Sequence, residues 1–361
     1  MPRDARIKLY KEIETHRKRP LVAYYTSKRP GIPPANMVAD AVPYIVEQLD
    51  ALGAVNKELD IMIVSLGGDP MVAWRIMSLV RQRESKVSVL VPEGAWSAAT
   101  LLALGGEEII MHPNGNLGPI DMQITMVNDH GQPKQFSTEE ISAFLEFIRD
   151  DLKITEQEHI RALFEVICRE VSSLGIGFTA RSSKLAIDLS KRLLGFHITE
   201  EQKINLILEK FKKFQSHAYP INRSEAKEIG LPIAASDPVL EKLMWEVWLD
   251  AEAELLERKP FSALSEFLGS AEGGKLLSGI PQLILPINVV GGPSYQTTLQ
   301  DALALAKETV NPVDFELKTA IVESARFGHI FTAKGKILAC RGTDLSFPWN
   351  AVTTSRTWDK I

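Results

Sequence analysis

Cysteine is scarce in this chain: two residues in 361, Cys168 and Cys340, far apart in sequence. That excludes a disulfide framework and a dedicated zinc site, and it fits a reducing cytoplasm. Long apolar runs are missing too. The most apolar window, residues 87–106, contains Pro92 and Glu93 and breaks into strand, turn and helix signals, which leaves no bilayer span. Residues 1–20 are charged and carry no apolar stretch of the kind a secretory signal requires, so export is not expected. Neither sign of charge dominates: 41 Lys and Arg against 46 Asp and Glu give a net charge of −5, which argues against a broad nucleic-acid binder. No Gly-x-x-x-x-Gly-Lys-Ser/Thr loop occurs, and His112, His130, His159, His197 and His329 form no metal-ligand spacing. ATP hydrolysis, a metal and an organic cofactor are therefore not expected.

What is present is an ordinary globular composition, 45% hydrophobic and 24% charged, enough to bury a sizeable core. From residue 21 to 120, short β-rich runs alternate with amphipathic helical ones, the pattern of crossover units in a parallel sheet. Strands are expected at 21–25, 59–65, 87–91 and 108–111, with helices at 36–52, 70–83 and 95–104. Residues 138–213 read as a helical insert, with Thr138 and Thr199 as helix caps. Ser236-Asp237-Pro238 starts another helix, and Leu240, Leu243, Met244, Val247 and Trp248 follow at helical spacing as core or subunit contact. The glycine- and serine-rich residues 269–279 make a boundary. Beyond it a strand at 282–290, a helix at 298–309 and a hairpin of 327–332 with 336–340, turned at Ala333-Lys334-Gly335, suggest a small α+β element. The expected organisation is an N-terminal extension (1–20), a core with its insert (21–268) and a C-terminal element of open role (280–361).

Two segments carry a chemical signal. Ser65-Leu66-Gly67-Gly68-Asp69-Pro70 ends a strand, and Gly94-Ala95-Trp96-Ser97-Ala98-Ala99 lies between a strand and a helix. In each, small residues let backbone N–H groups approach a ligand, and the helix N-terminus that follows can stabilise an oxyanion. Either alone reads as a tight turn or a helix cap. Together they would make an oxyanion hole with Ser97 beside it.

Residues 61–70 and Ser97-Ala98-Ala99-Thr100-Leu101-Leu102-Ala103-Leu104-Gly105, with Leu117-Gly118-Pro119-Ile120-Asp121-Met122-Gln123, and His217-Ala218-Tyr219-Pro220-Ile221 leading into Glu225-Ala226-Lys227-Glu228-Ile229-Gly230-Leu231-Pro232, resemble the Clp-protease/crotonase superfold. Within it they resemble the serine dehydrogenase proteinase family, related to signal peptide peptidase A. The resemblance covers residues 21–258 and implies an α/β fold, a spiral of β-β-α units. It implies further that Ser97 is the nucleophile of a serine endopeptidase, that the amides of Gly68 and Ala98 bind the oxyanion, and that peptides or proteins are the substrates.

The general base is open at this stage. Clp proteases place a histidine after the nucleophile helix, where this chain reads Gly118-Pro119-Ile120-Asp121. Three residues can substitute. His217 falls near the place of the Clp aspartate and is a residue type suited to take a serine proton, against the plainer reading of a structural histidine. Lys134, in the polar loop 128–135, resembles the lysine of Ser-Lys dyads but needs burial to act as a base. Asp121 could orient a base or replace it, although a carboxylate accepts a proton from serine poorly.

The missing histidine also motivates a non-enzymatic alternative, a degenerate Clp-like scaffold that binds partners. A crotonase-type enolate site is disfavoured by a serine at the head of the helix. The resemblance implies a homo-oligomer, for which 261–268 and 240–248 are candidate contact surfaces, and a cytoplasmic protein whose membrane association comes through a membrane protein partner.

Overall fold

The structure is a computed structural model that describes residues 2–33, 35–53, 58–84, 86–121, 123–127, 133–211, 214, 216–278, 310–340 and 346–361. The chain forms two compact units. The first comprises Met1–Thr26, Ala35–Ala251 and Val322–Gly328, the second Ser27–Pro34, Glu252–Ile321 and His329–Ile361.

The first unit begins with α1 (Pro2–Arg17) and β1 (Leu21–Thr26), followed by α2 (Val42–Ala51), β2 (Glu58–Val64), α3 (Pro70–Arg83), β3 (Lys86–Val91), β4 (Gly94–Ala95), α4 (Ala98–Leu104), β5 (Glu108–Met111) and β6 (Asn116–Leu117). Strands β1, β2, β3 and β5 are parallel neighbours in that order, with Leu21 opposite Asp60, Glu58 opposite Lys86 and Ser88 opposite Glu108. Their residues are almost continuously buried, as in a parallel sheet covered on both faces.

After each long strand the chain makes a short extended segment before its next helix. These segments join into a second layer through the bridges Met37 to Gly68 and Ser65 to Ala95, the pairing of β4 with β6, and the bridge Leu117 to Ile221. This is the β-β-α spiral the sequence led us to expect. The expected helix at 36–52 starts late, because the Met37 N–H donates to Gly67 O at 2.7 Å and Asp69 N–H donates to Met37 O at 3.0 Å, which keeps residue 37 extended. The helix expected at 95–104 begins at Ala98, because Ala95 is needed in the second layer.

A hairpin of β7 (Gln123–Val127) and β8 (Pro133–Ser137) leads into helices α5 (Thr138–Glu146), α6 (Gln157–Val171), α7 (Ser173–Leu194) and α8 (Glu201–Phe211). Lys134, expected in a loop, is instead in β8 opposite Met126. The cap of α5 is Ser137 rather than Thr138: its hydroxyl accepts from Glu140 N–H while the Glu140 carboxylate accepts from Ser137 N–H, a reciprocal capping box. Helices α9 (Arg223–Ile229) and α10 (Pro238–Leu255) complete the helical part. Leu240, Met244, Val247 and Trp248 are all buried, so their stripe is core.

Residues 2–17, expected as an extension, form α1, which buries Arg6, Tyr10 and Ile13 completely. The Arg6 guanidinium donates to both Glu323 oxygens, at 2.6 and 3.2 Å, and to Asp250 at 2.5 Å, while the Tyr10 hydroxyl donates to Glu323 at 2.8 Å. Burial in this apolar setting, reinforced by the Glu323 charge, raises the Tyr10 phenol well above its ordinary pKa.

In the second unit, α11 (Ala263–Leu268) and α12 (Ala271–Ser278) occupy the segment expected as a glycine-rich boundary. Strands β9 (Val313–Ser324), β10 (Gly328–Ala339) and β11 (Trp349–Lys360) follow, in the order β11-β10-β9. Ala263, Phe267, Leu276, Ile337 and Ala339 make the core here, so Phe267 is internal and not a subunit contact. The hairpin expected to turn at residues 333–335 is one continuous strand. Its register with β11 shifts between Lys334 and Gly335, where Thr354 of β11 is the extra residue of a bulge, and a Cβ on residue 335 would lie 2.3 Å from Val352 O. The strand and helix expected at 282–290 and 298–309 lie outside the described residues.

Candidate active site

Ser97 stands at the junction of β4 and α4 with φ 51° and ψ −117°, a backbone conformation rare for a residue bearing a Cβ. It is half-buried and precedes α4, apolar but for Thr100, whose seven residues are all buried. The strain is imposed from both sides. Trp96 N–H donates to Ser65 O at 3.0 Å, and on the helical side Leu101 N–H donates to Ser97 O at 3.1 Å. Among the described residues the Ser97 hydroxyl makes no hydrogen bond, so it does not serve as a helix cap.

The Gly67-Gly68 turn closes onto this junction. A Cβ on Gly67, at φ 100°, would lie 2.6 Å from Trp96 O, 2.8 Å from Ser97 Cβ and 3.0 Å from Ala98 N, so only glycine admits this approach. Gly68, at φ 148°, is held on its other side by Met37, whose backbone a Cβ would meet at 2.5 Å. The Ser65 hydroxyl accepts from Gly67 N–H at 3.0 Å and from the Thr26 hydroxyl at 2.7 Å, which fixes the start of the turn. Among the described residues neither the Gly68 nor the Ala98 amide donates to an acceptor. The two sequence segments thus meet around Ser97, with two amides available to an incoming oxygen.

A third segment closes the site. A Cβ on Gly118 would lie 2.8 Å from the Trp96 ring and 3.3 Å from Ser97 N. The Thr100 hydroxyl locks it there: it lies 2.7 Å from Ala95 O and 3.0 Å from Gly118 O, and accepts from Gly118 N–H at 3.0 Å. Asp121 follows three residues later, within about 10 Å of chain. Its Oδ1 is 2.8 Å from Nδ1 of His217, both side chains being mostly buried. His217 is brought in from residues 216–221, held by the Leu117 to Ile221 bridge, by Tyr219 against Phe214 at 4.8 Å, and by the Tyr219 hydroxyl donating to Glu225 at 2.5 Å. With Nδ1–H given to the carboxylate, Nε2 is the acceptor nitrogen, and it has no hydrogen-bond partner among the described residues.

Beside Asp121 is a small cleft lined by Ile120, Ser183, Ile187, Leu208, Phe211 and Phe214, contributed largely by the insert helices α7 and α8. The backbone of Lys134 lies in β8, and its side chain lies outside the described residues.

The other histidines have separate settings. His112 stacks on Trp245 at 4.9 Å, and burial lowers its pKa. His197 donates from Nε2 to Leu104 O at 3.0 Å, and burial lowers its pKa although that carbonyl opposes the shift. His159 is exposed on α6, and His130 lies outside the described residues. Among the described residues no cluster of His, Cys, Asp or Glu could hold a metal, and no helix is long and apolar enough to cross a membrane. Ser65 and Thr100, which position the glycine turns, were missed in the sequence; nothing about an isolated hydroxyl reveals which distant backbone it will hold.

Residues 46–134 match the family of ClpP-like SDH-type serine proteinases. The family resemblance read from the motifs is thereby borne out, and the first unit carries a ClpP-like α/β fold. Two uncharacterised proteins of Methanocaldococcus jannaschii are similar to the chain. One is 25% identical over 184 residues, 51% of this chain and 54% of that protein; the other is 26% identical over 240 residues, 65% of this chain and 75% of that protein. The match to the first spans about half of that relative's length. Among solved structures, the 1510-N membrane-bound stomatin-specific protease matches at 13% identity and TM-score 0.34, over 61% of this chain and 82% of its own. ClpP1 from Listeria monocytogenes matches at 14% identity and TM-score 0.31, over 64% of this chain and 97% of its own.

Proposed function

We propose that the chain is a serine endopeptidase in which Ser97 is the nucleophile, His217 the general base and Asp121 the carboxylate that orients it. The observation that carries the reading is the closure of the Gly67-Gly68 turn on Ser97 and Ala98, which leaves two unengaged amides beside a strained serine. Family membership of residues 46–134 supports the reaction class.

In this reading Oγ of Ser97 attacks the peptide carbonyl as His217 Nε2 takes the hydroxyl proton. The electron pair driven onto the carbonyl oxygen is held by the Gly68 and Ala98 N–H groups, aided by the N-terminus of α4. Collapse breaks the C–N bond while His217 returns the proton to the leaving amine, and water then hydrolyses the acyl-serine through the same base. Asp121 keeps Nδ1 protonated and stabilises the imidazolium. The cleft beside Asp121 supplies an apolar recess for part of a peptide substrate. The order Ser97, Asp121, His217 along the chain exchanges the places of acid and base relative to the Clp pattern.

Lys134 is the competing base, and kinetics on a casein or fluorogenic peptide substrate separate the two. His217→Ala is expected to lower kcat/KM by roughly 10²–10⁴-fold, with Lys134→Ala close to wild type. Loss of turnover in Lys134→Ala with His217→Ala active would transfer the role to the lysine. Absence of turnover in every form would favour the partner-binding scaffold.

A further inference from the structure

Helix α6 places Ile160, Leu163, Phe164 and Ile167 at helical spacing, yet none of these four is buried. Its neighbours in the insert expose more. Helix α5 continues into a π turn (Phe147–Asp151), and there Phe144, Phe147 and Leu152 are exposed. The Leu152 N–H donates to Phe147 O at 3.0 Å, and this wide turn sets Leu152 over Phe147 on one stripe. On α7, Leu174, Phe178 and Leu185 recur at intervals of four and seven and form a second exposed stripe, Leu174 at 84%. Helices α5 and α6 both pack on α7, so the two stripes belong to one layer. Single exposed apolar side chains are ordinary, but six on two stripes of one layer mark a surface that a partner covers.

The charges identify that partner. Residues 138–151 carry Glu139, Glu140, Glu146, Asp150 and Asp151 against the single base Arg149, whereas α7 carries Arg181, Lys184, Lys191 and Arg192 against the single acid Asp188. Glu146 and Asp151 flank the first stripe; Arg181, its guanidinium 5.3 Å from the Phe178 ring centre, and Lys184 flank the second. All four are exposed, and among the described residues none of them makes a salt bridge. We propose that the insert joins two copies of the chain, the acid-edged stripe of α5 in one docking on the base-edged stripe of α7 in the other. Both stripes lie in one layer, so two copies engage them reciprocally about a twofold axis and each contact occurs twice. Either stripe packed against itself would oppose like charges, and an anionic bilayer would be repelled by residues 138–151. The proposal does not depend on the peptidase reading.

Sedimentation velocity of the full chain over a concentration series tests it on four samples: the wild type, the double variant Arg181→Glu with Lys184→Glu, the double variant Glu146→Lys with Asp151→Lys, and an equimolar mixture of the two variants. Wild type is expected to dimerise. Each variant alone presents like charges on both stripes and should dimerise at least roughly tenfold more weakly, with unchanged circular dichroism. In the mixture every contact again joins opposite charges, so association should return to within about threefold of wild type. If a double variant fails to fold, the single substitutions Lys184→Glu and Asp151→Lys make the same comparison with a weakening of roughly threefold. A monomeric wild type, association unaltered in both variants, or a mixture no tighter than its components would overturn the proposal.

Discussion

Ser97 occupies its backbone conformation at a cost of order 1–3 kcal/mol. Replacing it therefore separates stability from chemistry. Ser97→Gly and Ser97→Ala are both expected to be inactive, but the glycine variant should be more stable than the alanine variant by about 1 kcal/mol in urea unfolding, because only glycine relaxes at φ 51°. Equal stabilities would mean that the strain is not real. Gly67→Ala should disturb both properties, since its Cβ would lie within 3 Å of Trp96 O and Ser97 Cβ. At this scale the meeting of the Gly67-Gly68 turn with the Ser97 junction was legible because small residues at strand ends have few other uses in such pairs. The partnership of Asp121 and His217 was not, because 96 residues separate them and only the folded second layer brings them to 2.8 Å.

Helix α1 is fastened by a buried ion pair, both Arg6 and Glu323 being fully buried. Arg6→Ala leaves the buried carboxylate with only Arg3 at 3.2 Å and the Tyr10 hydroxyl, and should cost about 3 kcal/mol, whereas Arg6→Met combined with Glu323→Leu should recover part of that loss. A double-mutant cycle by chemical denaturation measures the coupling; additive losses would show that the pair does not hold the helix. The parallel strands β1, β2, β3 and β5 were readable from alternating β-rich and amphipathic runs, and α3 falls at the residues its pattern indicated, but β9 and β11 were not expected and β10 was read as a hairpin. Two further kinds of element were missed. β4 and β6 have two residues each, too few for any periodicity. The face of α1 combines Tyr10 and Ile13 with a buried arginine, so its inward stripe reads as charge.

Over the whole molecule, pH should act on stability through histidines that fold in the neutral form. Burial holds His112 and His197 below the ordinary pKa of 6.5, so the unfolded chain takes up protons there before the folded one does. Stability is then fully present above about pH 6.5 and falls as pH drops through the lowered folded-state values. His197→Asn, which can still donate to Leu104 O, should flatten part of that slope between pH 7.5 and 5.5 in urea titrations. An unchanged slope would remove His197 from the account.

The central claim is that Ser97 is activated by His217 at a preformed oxyanion site, and labelling with a fluorophosphonate followed by intact-mass and peptide mapping tests it most directly. The account predicts a single adduct on Ser97 in the wild type, none in Ser97→Ala, much slower labelling in His217→Ala and a wild-type rate in Lys134→Ala. An adduct that persists in Ser97→Ala, or wild-type labelling in His217→Ala, would contradict it.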